Sequence, residues 1–117
     1  MFKAAHQMQT EWKERMRGGE GTVELQHVFT HDEFTGKCRL MARITLQPGC
    51  SIGTHAHEQE EEIYYLLEGV AEVDDNGTPR TMKAGDALLT GGGKSHAIAN
   101  QGTAPVVMLA VILLFAQ

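Results

Sequence analysis

Basic residues, cysteines and long apolar runs are all scarce in this chain, and each shortage closes off a class of function. Ten lysines and arginines face fifteen aspartates and glutamates, for a formal net charge of −5. No broad basic face is available to neutralise phosphates, so a nucleic-acid partner is excluded. A small anionic ligand is not, because a bound metal ion can dominate its local field. Cys38 and Cys50 are the sole cysteines. With no signal-peptide core in Met1–Thr10, free thiols in a cytoplasmic, reducing setting are the simpler expectation than a Cys38–Cys50 bridge. The longest apolar stretch, Val106–Ala116, falls short of the roughly 20 residues that span a bilayer. A soluble protein without membrane association is expected.

What is present describes one domain. A chain of 117 residues, 42% hydrophobic, can bury a single core. There is no internal repeat or low-complexity segment. Residues 1–21 are polar and end in the turn-rich Arg17-Gly18-Gly19-Glu20-Gly21. They read as an N-terminal arm, with a short helix expected over Gln9–Met16 around Trp12. Residues 22–117 read as a single β-barrel domain. Strands are expected at Thr22–Phe29, Cys38–Leu46, Ile63–Leu67, Val70–Val73, Thr81–Lys83, Ala87–Thr90, His96–Ala99 and Val106–Phe115, separated by Gly, Pro and Asn turns. Asp74-Asp75-Asn76-Gly77 is the strongest hairpin signal. Short strands with frequent turns indicate an all-β sandwich or barrel. The runs 63–67 and 106–115 are apolar without clean alternation, as when one face meets the barrel and the other a partner subunit. A homodimer is therefore expected.

The chemistry gathers in two places. In Thr54-His55-Ala56-His57, strand geometry puts both imidazoles on one face, where they can bite a single ion. Two solvated histidines on an edge strand would give the same spelling. Acidic residues then crowd Glu58–Glu62. Glu62 is the last acid before the apolar run and shares a strand face with Tyr64 and Leu66, so it is either a ligand or a costly buried charge. Glu58, Glu60 and Glu61 read as a solvated loop. A further histidine, His96, follows the glycine turn and by itself reads as a structural residue.

Taken together these residues resemble the cupin superfamily. The first cupin motif, G-x5-H-x-H-x4-E-x6-G, is met by Gly49, His55, His57, Glu62 and Gly69; the second, G-x5-P-x-G-x2-H-x3-N, by Gly85, Gly93, His96 and Asn100, with Gly91 in place of proline. The resemblance implies a double-stranded β-helix, or jelly roll, with metal at the wide mouth of the barrel. It also implies that His55, His57, Glu62 and His96 bind one divalent transition metal, manganese or iron(II) first, then nickel or zinc. Gly91-Gly92-Gly93 loosens a turn that proline would stiffen. A Gly91→Pro variant is expected to hold metal at least as tightly if the turn can accept it, and a marked loss would mean that the glycine needs a positive backbone angle.

Arg43 interrupts the apolar Leu40–Leu46 segment. It either points inward with Met41 and Thr45, as a bidentate carboxylate clamp, or snorkels outward. Arg43 and Tyr64 are the candidate catalytic residues. His6 and His31 read as exposed; His27 reads as structural, or as lining a pocket or subunit interface; Cys50 reads as a small hydrophobe. Further likeness lies with small one-domain bacterial cupins, some of them labelled as related to oxalate-metabolising enzymes. It implies a metal-dependent enzyme acting on a small carboxylate or oxygenated organic compound, as decarboxylase, oxidase or dioxygenase. The alternatives are a sugar isomerase or epimerase, using Glu60, Glu61 or Tyr64 as base, and a non-catalytic module that senses or carries a small ligand.

Overall fold

The computed structural model describes residues 1–115. The last two residues of the expected 22–117 domain lie outside the described residues, as does Ala116 at the end of the longest apolar run. Ten strands follow one another: β1 (Gln9–Glu14), β2 (Thr22–Phe29), β3 (Cys38–Leu46), β4 (Ser51–Ala56), β5 (Glu60–Glu68), β6 (Val70–Asp75), β7 (Thr78–Lys83), β8 (Ala87–Gly91), β9 (Ser95–Ala99) and β10 (Val106–Leu114). They form a six-stranded sheet in the order β1-β2-β3-β10-β5-β8 and a four-stranded sheet in the order β4-β9-β6-β7. All pairings are antiparallel. This is the jelly roll that the resemblance implied. Among the described residues no helix is long and apolar enough to cross a membrane.

Alternation along the strands makes the core. On β3, Ala42, Ile44 and Leu46 face inward; on β10, Val106, Met108, Ala110 and Ile112 do the same, and all are buried. Register sets Ala110 opposite both Ala42 and Tyr64, and Met108 opposite Ile44 and Leu66. From the smaller sheet come Ile52, Ala71, Val73, Met82 and Ile98. The hairpin between β6 and β7 turns on Asn76 and Gly77, both at positive φ (49° and 96°). That pair of angles belongs to the tight turn whose twist suits adjoining strands, and it explains the Asn-Gly spelling.

One expectation is corrected here. Gln9–Met16 is not a helix: Gln9–Glu14 is an extended edge strand paired along β2 from Gln9 opposite His27 to Glu14 opposite Thr22. Glu, Lys and Gln favour helix when isolated, but a full ladder to a neighbouring strand outweighs tenths of a kcal/mol per residue. The two thiols are free.

Candidate metal centre

The site forms where the two sheets face each other at one end of the barrel. On β4 the pairing with β9 passes from Ile52 opposite Ile98 to His55 opposite His96, so three steps on one strand match two on the other. This β-bulge shifts the alternation by one residue. Without it Ile52 and His55 would point to opposite faces; with it both point inward, and His57 follows two residues on. β9 supplies His96 directly across from His55. From the other sheet β5 supplies Glu62, whose partner on β8 is Thr90.

The four side chains converge. Their ligating atoms all lie within 4.8 Å of one another, and His57, Glu62 and His96 are 1%, 3% and 0% exposed. His96 Nε2 stands 3.1 Å from His57 Nε2 and 3.0 Å from His55 Nε2. Glu62 Oε1 is 2.9 Å from His57 Nε2, 3.0 Å from His96 Nε2 and 3.8 Å from His55 Nε2. The outer ring nitrogens are occupied. His55 Nδ1 donates to the Gly53 carbonyl at 2.7 Å, His57 Nδ1 donates to Glu60, and His96 Nδ1 meets Thr90 Oγ1 at 2.9 Å. A carbonyl and a carboxylate can only accept, so in neutral His55 and His57 the proton sits on Nδ1 and the Nε2 lone pair faces inward.

The His55 and His57 lone pairs therefore point into the cluster, and Glu62 Oε1 is buried there with no hydrogen-bond partner. A buried oxygen in that state is expensive unless a cation occupies the centre. Cis donors bound about 2.1 Å from an ion stand about 3 Å apart, and the shorter edges of this cluster match that spacing. The cluster could hold one metal ion, and three imidazoles with one carboxylate suit the divalent first-row metals.

Electrostatics agree with the geometry. Burial raises the Glu62 carboxyl, but the imidazoles around it outweigh burial and hold it well below the usual carboxylate range. His57 is raised from its ordinary value, chiefly by Glu62 and then by Glu60, against the effect of burial. His96 is lowered, first by burial and then by the neighbouring imidazoles, against the pull of Glu62. Tyr64 lies parallel to the His96 ring at 4.5 Å. Burial, with the Glu62 charge beside it, pushes its phenol well above the usual value. Tyr64 is thus held as a protonated donor near neutral pH, the wrong state for a base.

Comparison with known proteins agrees with this architecture. The cupin domain family matches residues 42–112. The chain is a cupin. An oxalate-binding protein of Thermotoga maritima is 48% identical over 99 residues, covering 85% of this chain and 82% of that protein. The crystal structure of a predicted oxalate decarboxylase from the same organism superposes with a TM-score of 0.92 at 43% identity, over 98% of this chain and all of that one. A cupin domain from an XRE-family transcriptional regulator of Enterobacter cloacae shares the fold, with a TM-score of 0.70 at 24% identity, over 80% of this chain and 98% of that one.

This cupin corrects several readings of its own sequence. Arg43 is not brought to the site: Ala42 and Ile44 are buried, so Arg43 between them lies exposed on the outer face of β3. Glu60 is no solvated loop acid. It accepts from His57 and is gripped by Arg39 through Nε at 2.7 Å and Nη2 at 2.8 Å. Arg39 first, then His57, lowers its carboxyl from the ordinary value. Its i+3 spacing from His57 was the available signal. Glu61 turns to the outer face, where a Cβ placed on Gly91 would meet it at 2.5 Å. The glycine in the proline position thus has no room for a ring, and its neighbours are tied down: Gly93 N–H donates to His57 O at 2.8 Å and His57 N–H to Lys94 O at 3.0 Å. Gly91→Pro will therefore disturb the His57 segment rather than stiffen it, through crowding and not through a positive angle. Asn100 is buried and structural, donating to Leu46 O and Ala104 O at 2.8 Å each. His27 pairs with Glu11 at 2.9 Å beside the cavity, while His6 and His31 are exposed.

Proposed function

We propose that His55, His57, Glu62 and His96 hold a divalent transition metal, manganese or iron(II) in preference to nickel or zinc, and that its ligand is a small carboxylate. The observation that carries this reading is the orphaned Glu62 Oε1 facing inward-pointing ring nitrogens. An ion held by these four residues would keep room in its coordination shell for a chelating oxalate or 2-oxo acid. When bound, such an ion supplies Lewis acidity to the oxygens of its ligand. The cavity beside the cluster, about 450 Å³, is lined by Arg15, Arg17 and Tyr64, with Lys13 and Arg39 paired to carboxylates and Glu11 and Glu14 also at its wall. Among the described residues, two unpaired guanidinium groups and a phenol are thus available to an anion there. The name of the Thermotoga relative, an oxalate-binding protein, points to the same ligand class.

The reaction that fits is carboxylate breakdown, by decarboxylation or with dioxygen. Sugar isomerisation is less well supported, since it needs a general base and the three candidates for that role are unsuited. Glu60 is committed to Arg39 and His57, Glu61 faces outward, and Tyr64 keeps its proton. A homodimer and a cytoplasmic setting complete the proposal. Tyr65 and Leu89 leave apolar surface on the outside of the larger sheet, and the cysteines are free. Light scattering that gives a clean monomer mass would reject the dimer.

The test is elemental analysis of protein purified without a histidine tag or added metal, followed by oxalate calorimetry and carbon dioxide and oxygen measurements under air and under nitrogen. One metal per chain and saturable oxalate binding are expected. His57→Ala and His96→Ala are expected to empty the site without unfolding the barrel, and His31→Ala to do neither. A chain that takes up no metal at neutral pH sinks the proposal.

A further inference from the structure

The turn joining β1 to β2 is built in an unusual way. Arg15 and Arg17 both adopt left-handed backbone angles, φ 51° and 55°, a conformation that costs a non-glycine residue energy and persists only when the surroundings impose it. Here β4 imposes it. A Cβ on Gly53 would stand 2.1 Å from the Arg17 carbonyl oxygen, and one on Gly19 would stand 2.2 Å from the Ser51 carbonyl oxygen, so the two backbones touch at residues with no side chain. Ser51 and Glu20 then exchange bonds: Ser51 N–H donates to Glu20 O at 2.9 Å, and Glu20 N–H donates to Ser51 Oγ at 2.8 Å. The turn is thus pinned to the strand that carries His55.

The result is an exposed arginine whose backbone is anchored at the edge of the cavity. Arg17 lines the same space as His55, His57, Glu62 and Tyr64. Of the other cations facing that space, Lys13, His27 and Arg39 are paired, while Arg15, among the described residues, is unpaired like Arg17. Lys13 and His27 share Glu11, and Arg39 is spent on Glu60. Arg17 has no ion-pair partner among the described residues. An unpaired guanidinium on an anchored stretch of backbone beside the cluster is suited to a second anionic group on the same ligand, because its planar fork matches a carboxylate.

We infer that Arg17 docks the outer carboxylate oxygens of the ligand held in this cavity and so selects for small dicarboxylates. The inference rests on the metal-and-carboxylate reading above. Oxalate is titrated calorimetrically into metal-loaded wild type, Arg17→Gln and Arg17→Lys, with metal content and thermal unfolding measured on each. Arg17→Gln is expected to keep its metal and its melting temperature while losing at least about tenfold in oxalate affinity, and Arg17→Lys to recover part of the loss through its charge. Wild-type oxalate affinity in Arg17→Gln overturns this inference alone. A fall in affinity matched by a lower melting temperature in both variants also overturns it, since the turn would then be structural. Wild-type protein that binds metal but no oxalate removes the carboxylate reading, and this inference goes with it.

Discussion

The two ends of the barrel are chemically opposite. Two inner rows change character along their length: β5 runs from Glu62 through Tyr64 to Leu66, and β4 from His57 and His55 to Ile52, while β10 is apolar from Ile112 to Val106. At the far end Leu46, Leu66, Ile98, Val106 and Met108 fill the space with apolar atoms. At the near end three rings and a carboxylate meet over an open cavity. An apolar plug stabilises itself by contact. A ring of inward-facing acceptors does not, and it is held apart by Gly53 O, Glu60 and Thr90 acting on its outer side. Folding and metal capture therefore reside at different ends of the same strands.

That separation can be broken by substitution. The largest effect is expected from Leu66→Ala. Loss of a fully buried leucine at the plug costs about 2–5 kcal/mol, read by denaturant unfolding, while the surviving folded fraction keeps its metal. Depleted metal in that fraction would show that the two ends are coupled.

Next comes Glu60→Gln, at the metal end but outside the cluster. It removes the carboxylate that sets the His57 tautomer and leaves Arg39 without its partner. Metal affinity is expected to fall by about 10–100-fold, measured by competition with a chelator, with little change in unfolding midpoint. Unchanged affinity would reduce Glu60 to a surface ion pair.

Acid gives the gentlest probe. Coordination needs neutral imidazole, so protons compete with the ion. Glu62, held well below the ordinary carboxylate value, stays ionised as pH falls, whereas His57, raised above its ordinary value, takes up its proton earlier than a free histidine. Metal is expected to leave as pH drops through about 6, followed by elemental analysis after dialysis. A full complement at pH 4 would count against three histidine ligands.

Much of this was legible in the residue string. Thr22–Phe29 and Cys38–Leu46 match β2 and β3 end for end, because turn residues bracket them on both sides. The ligand spacing was visible because two motifs spell it. The misreadings have physical causes. Arg43 shares its strand face with Arg39 and Thr45 while Leu40, Ala42, Ile44 and Leu46 fill the other, so period-two alternation already turned it outward; Met41 beside it let the segment pass for an apolar run. Polar β1 has no buried face of its own, and only its ladder to β2 makes it a strand. Glu60 and Arg17 looked like ordinary surface charge, since Arg39 lies 21 residues from Glu60, and the contact of Gly19 and Gly53 with the opposing backbone has no local signature.

The bulge at Gly53–Thr54 means that chain length guards this centre as closely as chemistry does. Pairing this stretch residue for residue, with no bulge to absorb the third step from Ile52 to His55, would leave every ligand in the sequence yet turn His55 and His57 outward. Anyone transplanting the cluster into another barrel must carry over that odd count along with the four side chains.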